Sequence, residues 1–278
     1  MKNVHFADLV HMQAKKYGEK AALYYKDEKL NRWVSISWNS LSEQVKTIAK
    51  ALFEIGVGEY ENLGIFSQNK PEGIIVDYAA FANRAVTVPM YATSSSQQIN
   101  YIINDAEIAV LFVGEQVQYD VACEVLKKSK YLKKIVIFDE NVKTNGEENV
   151  MYFSDLMTIG QKSTAHFEVN ARQTHASEDD LATIMYTSGT TGDPKGAMIP
   201  HSCYQEAMRI HDIRITSVSD KDSSLAFLPL SHIFERAWTY FCLYKAIEVY
   251  VNLRPQEIQQ SVKEKFHIKL TPEVEYIK

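Results

Sequence analysis

The amino-acid sequence predicts an α/β fold with parallel-rich sheets flanked by helices, on three grounds. Short runs of β-branched and aromatic residues at 63–66, 86–88, 110–113 and 135–138 have the length of buried strands. Segments of helical spacing, at 72–83, 96–105 and 117–128, separate them, and strands separated by helices pair in parallel through crossovers. With 278 residues and 46% hydrophobic content, the chain is long enough to bury a sizeable core.

The elements follow in order. Residues 21–25 and 33–37 read as short strands joined by a polar turn, a hairpin. Ser40 and Glu43 have the spacing of a capping box, which predicts a helix start there. Leu41, Val45, Ile48 and Leu52 then line one side of that helix, and Gly56 stops it. The stretch 140–148 is polar and turn-prone, a loop. A second polar stretch, 161–180, is expected to separate two lobes, a first at 1–175 and the start of a second at 176–278. In the latter, strands are predicted at 181–186, 197–199, 225–228 and 247–251, with helices at 202–213 and 233–244.

Composition excludes several classes. A formal charge of −5, with charges scattered along the chain, argues against a duplex nucleic-acid binder, which would gather basic residues on one face. Cys123, Cys203 and Cys242 are far apart and odd in number, which suits small buried side chains in a reducing cytosol. The first residues lack the apolar core of a signal peptide. No run approaches the roughly 18 apolar residues that span a bilayer. The expectation is a soluble, cytoplasmic protein, with peripheral contact to a membrane left open and the oligomeric state unassigned.

The segment Tyr186-Thr187-Ser188-Gly189-Thr190-Thr191-Gly192-Asp193-Pro194-Lys195-Gly196 is the most informative in the chain. Its glycines admit positive φ and let backbone amides approach an anion. The hydroxyls of Thr187, Ser188, Thr190 and Thr191 can donate to phosphate oxygens, and Lys195 adds positive charge. Consecutive amides in such a turn form an anion-binding concavity. Surface turns are often rich in Gly, Ser and Thr, so Gly189 or Gly192 alone would mean little. A buried strand in front, all four hydroxyls and the lysine together point to a polyphosphate. The nucleotide-triphosphatase loop G-x-x-x-x-G-K-[ST] does not fit, because Pro194 stands where it needs glycine and Gly196 where it needs a hydroxyl.

YTSGTTGDPKG, with the following AMIPH, resembles the signature loop of the adenylate-forming superfamily of acyl-CoA synthetases, luciferases and peptide-synthetase adenylation domains. The resemblance implies that Thr187, Ser188, Gly189, Thr190, Thr191, Gly192, Lys195 and Gly196 bind the β- and γ-phosphates of ATP. A carboxylate then attacks the α-phosphorus to give acyl-adenylate and pyrophosphate. It further implies Mg²⁺ as cofactor, with Thr187 as a ligand, and CoA as co-substrate. Asp193 occupies a position that varies in the family, and its charge is expected to point away from the phosphates.

A second constellation is Phe227-Leu228-Pro229-Leu230-Ser231-His232-Ile233-Phe234-Glu235-Arg236. Pro229 follows an apolar strand, so the chain turns there and a helix is expected to start near Ser231 as its cap. That puts His232 at a helix N-terminus and at the carboxyl end of a strand, where ligand crevices of open α/β sheets lie. A histidine so placed is more often a simple cap or packing residue than a ligand. The wording LPLSHIFER, however, resembles the motif that long-chain acyl-CoA synthetases carry after the loop. The resemblance implies that His232 and Phe234 border the acyl and carboxylate pocket, with a fatty acid as substrate. Glu235 and Arg236 are expected to hold local structure, and His201 likewise. Trp238 is a core residue or a tunnel gate.

The likeness runs from about Phe6 to about Glu264, over the incomplete large N-terminal domain of an adenylate-forming enzyme. The family's later motifs do not occur among these residues: the Tyr-Gly-x-Thr-Glu segment, the ribose-binding aspartate, and the C-terminal domain whose lysine is the catalytic group. Attack of one anion on another needs such positive charge. The expectation is therefore a fragment of a long-chain fatty acid–CoA ligase, weak or inactive alone. A non-catalytic ATP- or acyl-binding module, and adenylation of an aryl or amino acid, are the alternatives.

Overall fold

The computed structural model describes residues 5–27, 30–187, 193–254 and 257–266. In chain order the elements are α1 (Phe6–Tyr17), β1 (Ala21–Asp27), β2 (Arg32–Ser37), α2 (Trp38–Glu54), β3 (Asn62–Phe66), α3 (Pro71–Ala82), β4 (Val86–Met90) and α4 (Ser96–Asp105). There follow β5 (Val110–Val113), α5 (Gln116–Leu126), β6 (Lys134–Ile137), β7 (Val150–Tyr152), α6 (Phe153–Lys162) and α7 (His166–Thr174). The last are β8 (Leu181–Thr187), β9 (Lys195–Pro200), α8 (His201–Arg214), β10 (Ser223–Ala226), α9 (Ile233–Tyr244), β11 (Glu248–Val251) and α10 (Ile258–Phe266).

Two sheets organise the molecule. The larger has the order β7-β6-β5-β3-β4-β8-β9, parallel except for the final pair, and the smaller the order β10-β11-β1-β2. In the smaller sheet β10, β11 and β1 are parallel, and β1 and β2 form the expected antiparallel hairpin. Each sheet draws strands from both sides of residue 175, so the hydrogen-bonded ladders do not part at the expected lobe boundary.

Helix α3 shows why the sheets stay together. Nearly all of its residues are buried, from Pro71 to Ala82, as befits a helix that is apolar all round and covered on every side. It shares one apolar cluster with Leu63 and Ile65 of the larger sheet and Leu23 and Val249 of the smaller. On the opposite face of the larger sheet, Ile99 and Ile103 of α4 and Tyr119 and Ala122 of α5 pack on Val88, Leu111 and Ile135.

Four expectations are corrected. Helix α2 starts at Trp38, not beyond Ser40, because the Ser37 hydroxyl accepts from the Ser40 amide and strand β2 passes straight into the helix. That start carries Trp38 into the core, fully buried. The polar stretch 161–180 contains α7, whose Arg172 donates to the Val57 carbonyl (2.7 Å) and to Asn83 (3.0 Å). Asp180, at its end, pairs with Arg84 at 2.8 Å. Polar residues of this stretch thus make packing contacts. Helix α9 is capped by His232, not Ser231: the His232 Nδ1 accepts from the Phe234 amide. Finally, Cys123 and Cys242 are buried as expected but Cys203 is exposed, being on the outer side of α8. Among the described residues no helix is long and apolar enough to cross a membrane.

Candidate functional site

Thr187 and Lys195 close the mouth of the β8–β9 hairpin as directly opposed partners. Residues so opposed in an antiparallel ladder present their side chains on the same face, so hydroxyl and ammonium stand side by side where the loop leaves the sheet. Ser188, Gly189, Thr190, Thr191 and Gly192 lie outside the described residues. The next pair inward is Tyr186 and Gly196. A Cβ on Gly196 would come within 2.8 Å of Ile184 Cγ2 and 3.1 Å of the Tyr186 ring. Glycine is thus demanded there by packing across the hairpin.

The face matters. Tyr186 packs on the α4 side, where its hydroxyl donates to Asp105. Strand alternation therefore sends Thr187 and Lys195 to the other side of the sheet, the side of the cluster that includes Ala226 and Leu230. Asp193 borders a surface hollow with Gln97, Tyr101 and Asp105 of α4, away from Thr187.

The second constellation sits at the carboxyl ends of the smaller sheet. His232 and Phe234 are both exposed, one as the cap of α9 and the other in its first turn. With Nδ1 accepting from the Phe234 amide at 3.2 Å, the neutral imidazole carries its proton on Nε2, a donor suited to a carboxylate. Phe234 lines a groove of about 440 Å³ with Phe227, Glu235, Trp238 and Leu225. Trp238 is half-buried there, its indole N–H donating to Ser224 at 2.9 Å. Phe227 also walls a crevice of about 410 Å³ between the two sheets, with Gln68, Tyr91, Pro229, Asn252 and Arg254. Carried forward along both strands, the Thr87–Thr183 register brings Tyr91 level with Thr187. The hairpin mouth and the crevice thus share the carboxyl edge of the larger sheet. Among the described residues, no hydrogen bond or ion pair joins Thr187 or Lys195 to His232 or Phe234.

Several residues outside both motifs hold this region in place. Asn69, buried in the β3–α3 connection, donates to the carbonyls of Ala226 (3.3 Å) and Leu228 (2.8 Å) and accepts from the Leu230 amide (2.8 Å). One side chain therefore fixes the segment leading to His232 against the other sheet. Glu235, as expected, is structural: its carboxylate accepts from the Leu228 amide at 3.1 Å. Burial pushes its pKa up to about 7. Arg236 is buried against Asp77 of α3 at 2.6 Å and also donates to Tyr240 and to the Leu230 carbonyl. Arg254 pairs with Glu115 across the crevice at 3.4 Å. His201, as expected, is structural; burial, with His5 beside it, pushes it down to about 3. Asn69 and Arg254 leave no local signal in the sequence, because each acts on a partner more than a hundred residues away.

A magnesium ion takes oxygen ligands and is commonly held by one or two protein oxygens together with substrate phosphates. The Thr187 hydroxyl, exposed at the strand end, is such an oxygen. Among the described residues no group of three His, Cys, Asp or Glu is arranged to hold a metal.

The model of the AMP-binding enzyme family matches residues 10–270. The chain belongs to the AMP-binding enzyme family. Among similar relatives, Fatty acyl-CoA synthetase A of Dictyostelium discoideum is 32% identical over 219 residues, covering 76% of this chain and 31% of that protein. Long chain acyl-CoA synthetase 3 of Arabidopsis thaliana is 31% identical over 236 residues, covering 80% and 34%. The chain therefore spans about a third of the length of these curated relatives. Among solved structures, a long-chain-fatty-acid-CoA ligase from Archaeoglobus fulgidus superposes with a TM-score of 0.76 at 22% identity, covering 94% of this chain and 49% of that one. An anthranilate CoA ligase in complex with anthranoyl-AMP gives 0.77 at 19% identity, covering 93% and 47%. These two likenesses establish the fold, with its parallel-rich sheets and flanking helices.

Proposed function

We propose that the chain supplies the phosphate loop and part of the acid pocket of an ATP-dependent long-chain fatty acid–CoA ligase, which forms an acyl-adenylate and then the CoA thioester. The observation that carries the reading is the pairing of Thr187 with Lys195 at the carboxyl edge of the sheet, on the side that faces the His232 segment. In this reading the loop from Thr187 to Lys195 holds the β- and γ-phosphates, Thr187 contributes an oxygen to Mg²⁺, and Lys195 offsets phosphate charge. When bound, the cation would withdraw charge from the phosphates. The His232 Nε2 proton orients the carboxylate, and the apolar groove of Phe227, Phe234 and Trp238 receives the start of the acyl chain. The names of the relatives given above, both fatty or long-chain acyl-CoA synthetases, support a fatty acid over an aryl acid.

Calorimetric titration of the purified chain with Mg·ATP, and with a non-hydrolysable palmitoyl-adenylate analogue, tests this. Lys195→Met should weaken ATP by about tenfold or more, since a charge-assisted hydrogen bond is worth about 1.5–3 kcal/mol. Undiminished ATP affinity in that variant would overturn the assignment. ATP–pyrophosphate exchange with palmitate, against benzoate, then separates a chain that adenylates a fatty acid from one that only binds.

A further inference from the structure

Helices α1, α2 and α7 enclose a separate cavity of about 390 Å³, within the range of small-molecule pockets. Its floor is apolar, with Val10, Val45, Ala49 and Val169 all buried. Its rim is basic: Lys46 and Lys50 come from α2, His11 from α1 and His166 from α7. The two lysines are four residues apart on the same side of α2, and the Lys50 ammonium donates to the Ser163 carbonyl at 3.3 Å in the turn before α7. Charges of both signs are present, since Glu43 stands on the rim and Asp8 acts on His11. The positive ones prevail at the imidazole. After burial, Lys46 and Lys15 are the groups that lower the His11 pKa, and their effect exceeds that of Asp8. In a chain of net charge −5, such a local positive field over an apolar floor is out of keeping with the rest of the surface.

The cavity is remote from the nucleotide and acyl region. Ala82, at the end of α3, closes it, whereas Asn69 and the crevice lie at the start of that helix. The 12-residue length of α3, about 18 Å at the helical rise, separates the two.

We infer that this cavity is a second ligand site, for an amphiphilic monoanion with a carboxylate or sulfonate head on an apolar body of medium length. The floor removes the body from water, and Lys46 and Lys50 hold the head. His11, which feels the field of Lys46 and Lys15, gains a nearby counter-charge when the anion binds.

Decanoate is the probe and decanol its uncharged match, followed by ¹H–¹³C correlation of the histidine Cε1 groups in the whole chain. Decanoate should saturate, shift the His11 and His166 signals and raise the His11 pKa, because a bound carboxylate offsets the field of the lysines. Lys46→Glu combined with Lys50→Glu should weaken decanoate about tenfold. Val117→Trp, which obstructs the crevice between the sheets, should leave the His11 response intact. The inference is overturned if decanol binds as tightly as decanoate, if the double glutamate variant responds unchanged, or if Val117→Trp abolishes the response. Should the double variant fail to fold, the decanoate–decanol comparison decides alone.

Discussion

Replacing Asn69 by alanine removes three hydrogen bonds between the β3–α3 connection and the segment Ala226–Leu230. Each is worth about 1 kcal/mol net, and the Leu230 amide, left without its acceptor in a largely desolvated place, adds about 1–3 kcal/mol. Water entering from the crevice, which Asn69 itself lines, bonds the stranded amide and carbonyls and recovers about 2 kcal/mol of that. The expected loss is therefore about 2–4 kcal/mol, read from urea denaturation followed by tryptophan fluorescence. Amide exchange should locate it, with Leu230 losing protection while Leu111 of the larger sheet keeps its own. Asn69→Asp sharpens the test. Its carboxylate retains the acceptor for Leu230 but faces the carbonyls of Ala226 and Leu228 without a proton to give. That variant should be unstable at neutral pH and recover as the pH falls and the carboxyl becomes a donor. An Asn69→Ala protein within about 0.5 kcal/mol of the parent, with Leu230 still protected, would refute the reasoning.

Two further predictions concern the residues beside it. Glu235 has its pKa raised by burial from 4.5 to about 7 in the folded chain, so the folded state binds the extra proton between those values. Stability should be highest below about pH 4.5 for this group and fall by up to about 3 kcal/mol as pH rises through 7; Glu235→Gln should flatten that part of the pH–stability curve. Arg236→Met strands Asp77 in the core and should cost about 3–5 kcal/mol, whereas adding Asp77→Asn should restore part of the loss in the same denaturation assay.

Much of the fold was legible because its signals are local. The runs at 63–66 and 110–113 are fully apolar because they become interior strands covered on both faces. Helices α4 and α9 occupy the ranges that their spacing predicted, although the cap of α9 differs. Helix starts were less legible where two residues could each serve as cap. Ser37 prevailed over Ser40 because burying Trp38 requires the earlier start, and His232 prevailed over Ser231, which is buried instead. Strand β7 and helix α7 escaped notice because a three-residue strand and a polar nine-residue helix carry little periodicity. Of the site, the Thr187–Lys195 and His232–Phe234 motifs were visible as words in the sequence. Asn69 was not, since nothing in SQNKPE announces a partner beyond residue 225.

By itself, the sequence determined the class of the fold, the phosphate-loop motif and its family, because strand length, helical spacing and a run of Gly, Ser, Thr and Lys are properties of neighbouring residues. Only the tertiary structure decided that β1, near the beginning, pairs with β11, near residue 250. It alone set Thr187 and Lys195 on the face toward His232 and let Asn69 and Arg236 fix the chain before that histidine. These are contacts between residues far apart in the chain. Their energy depends on which surfaces are buried against each other, and a linear pattern does not record that.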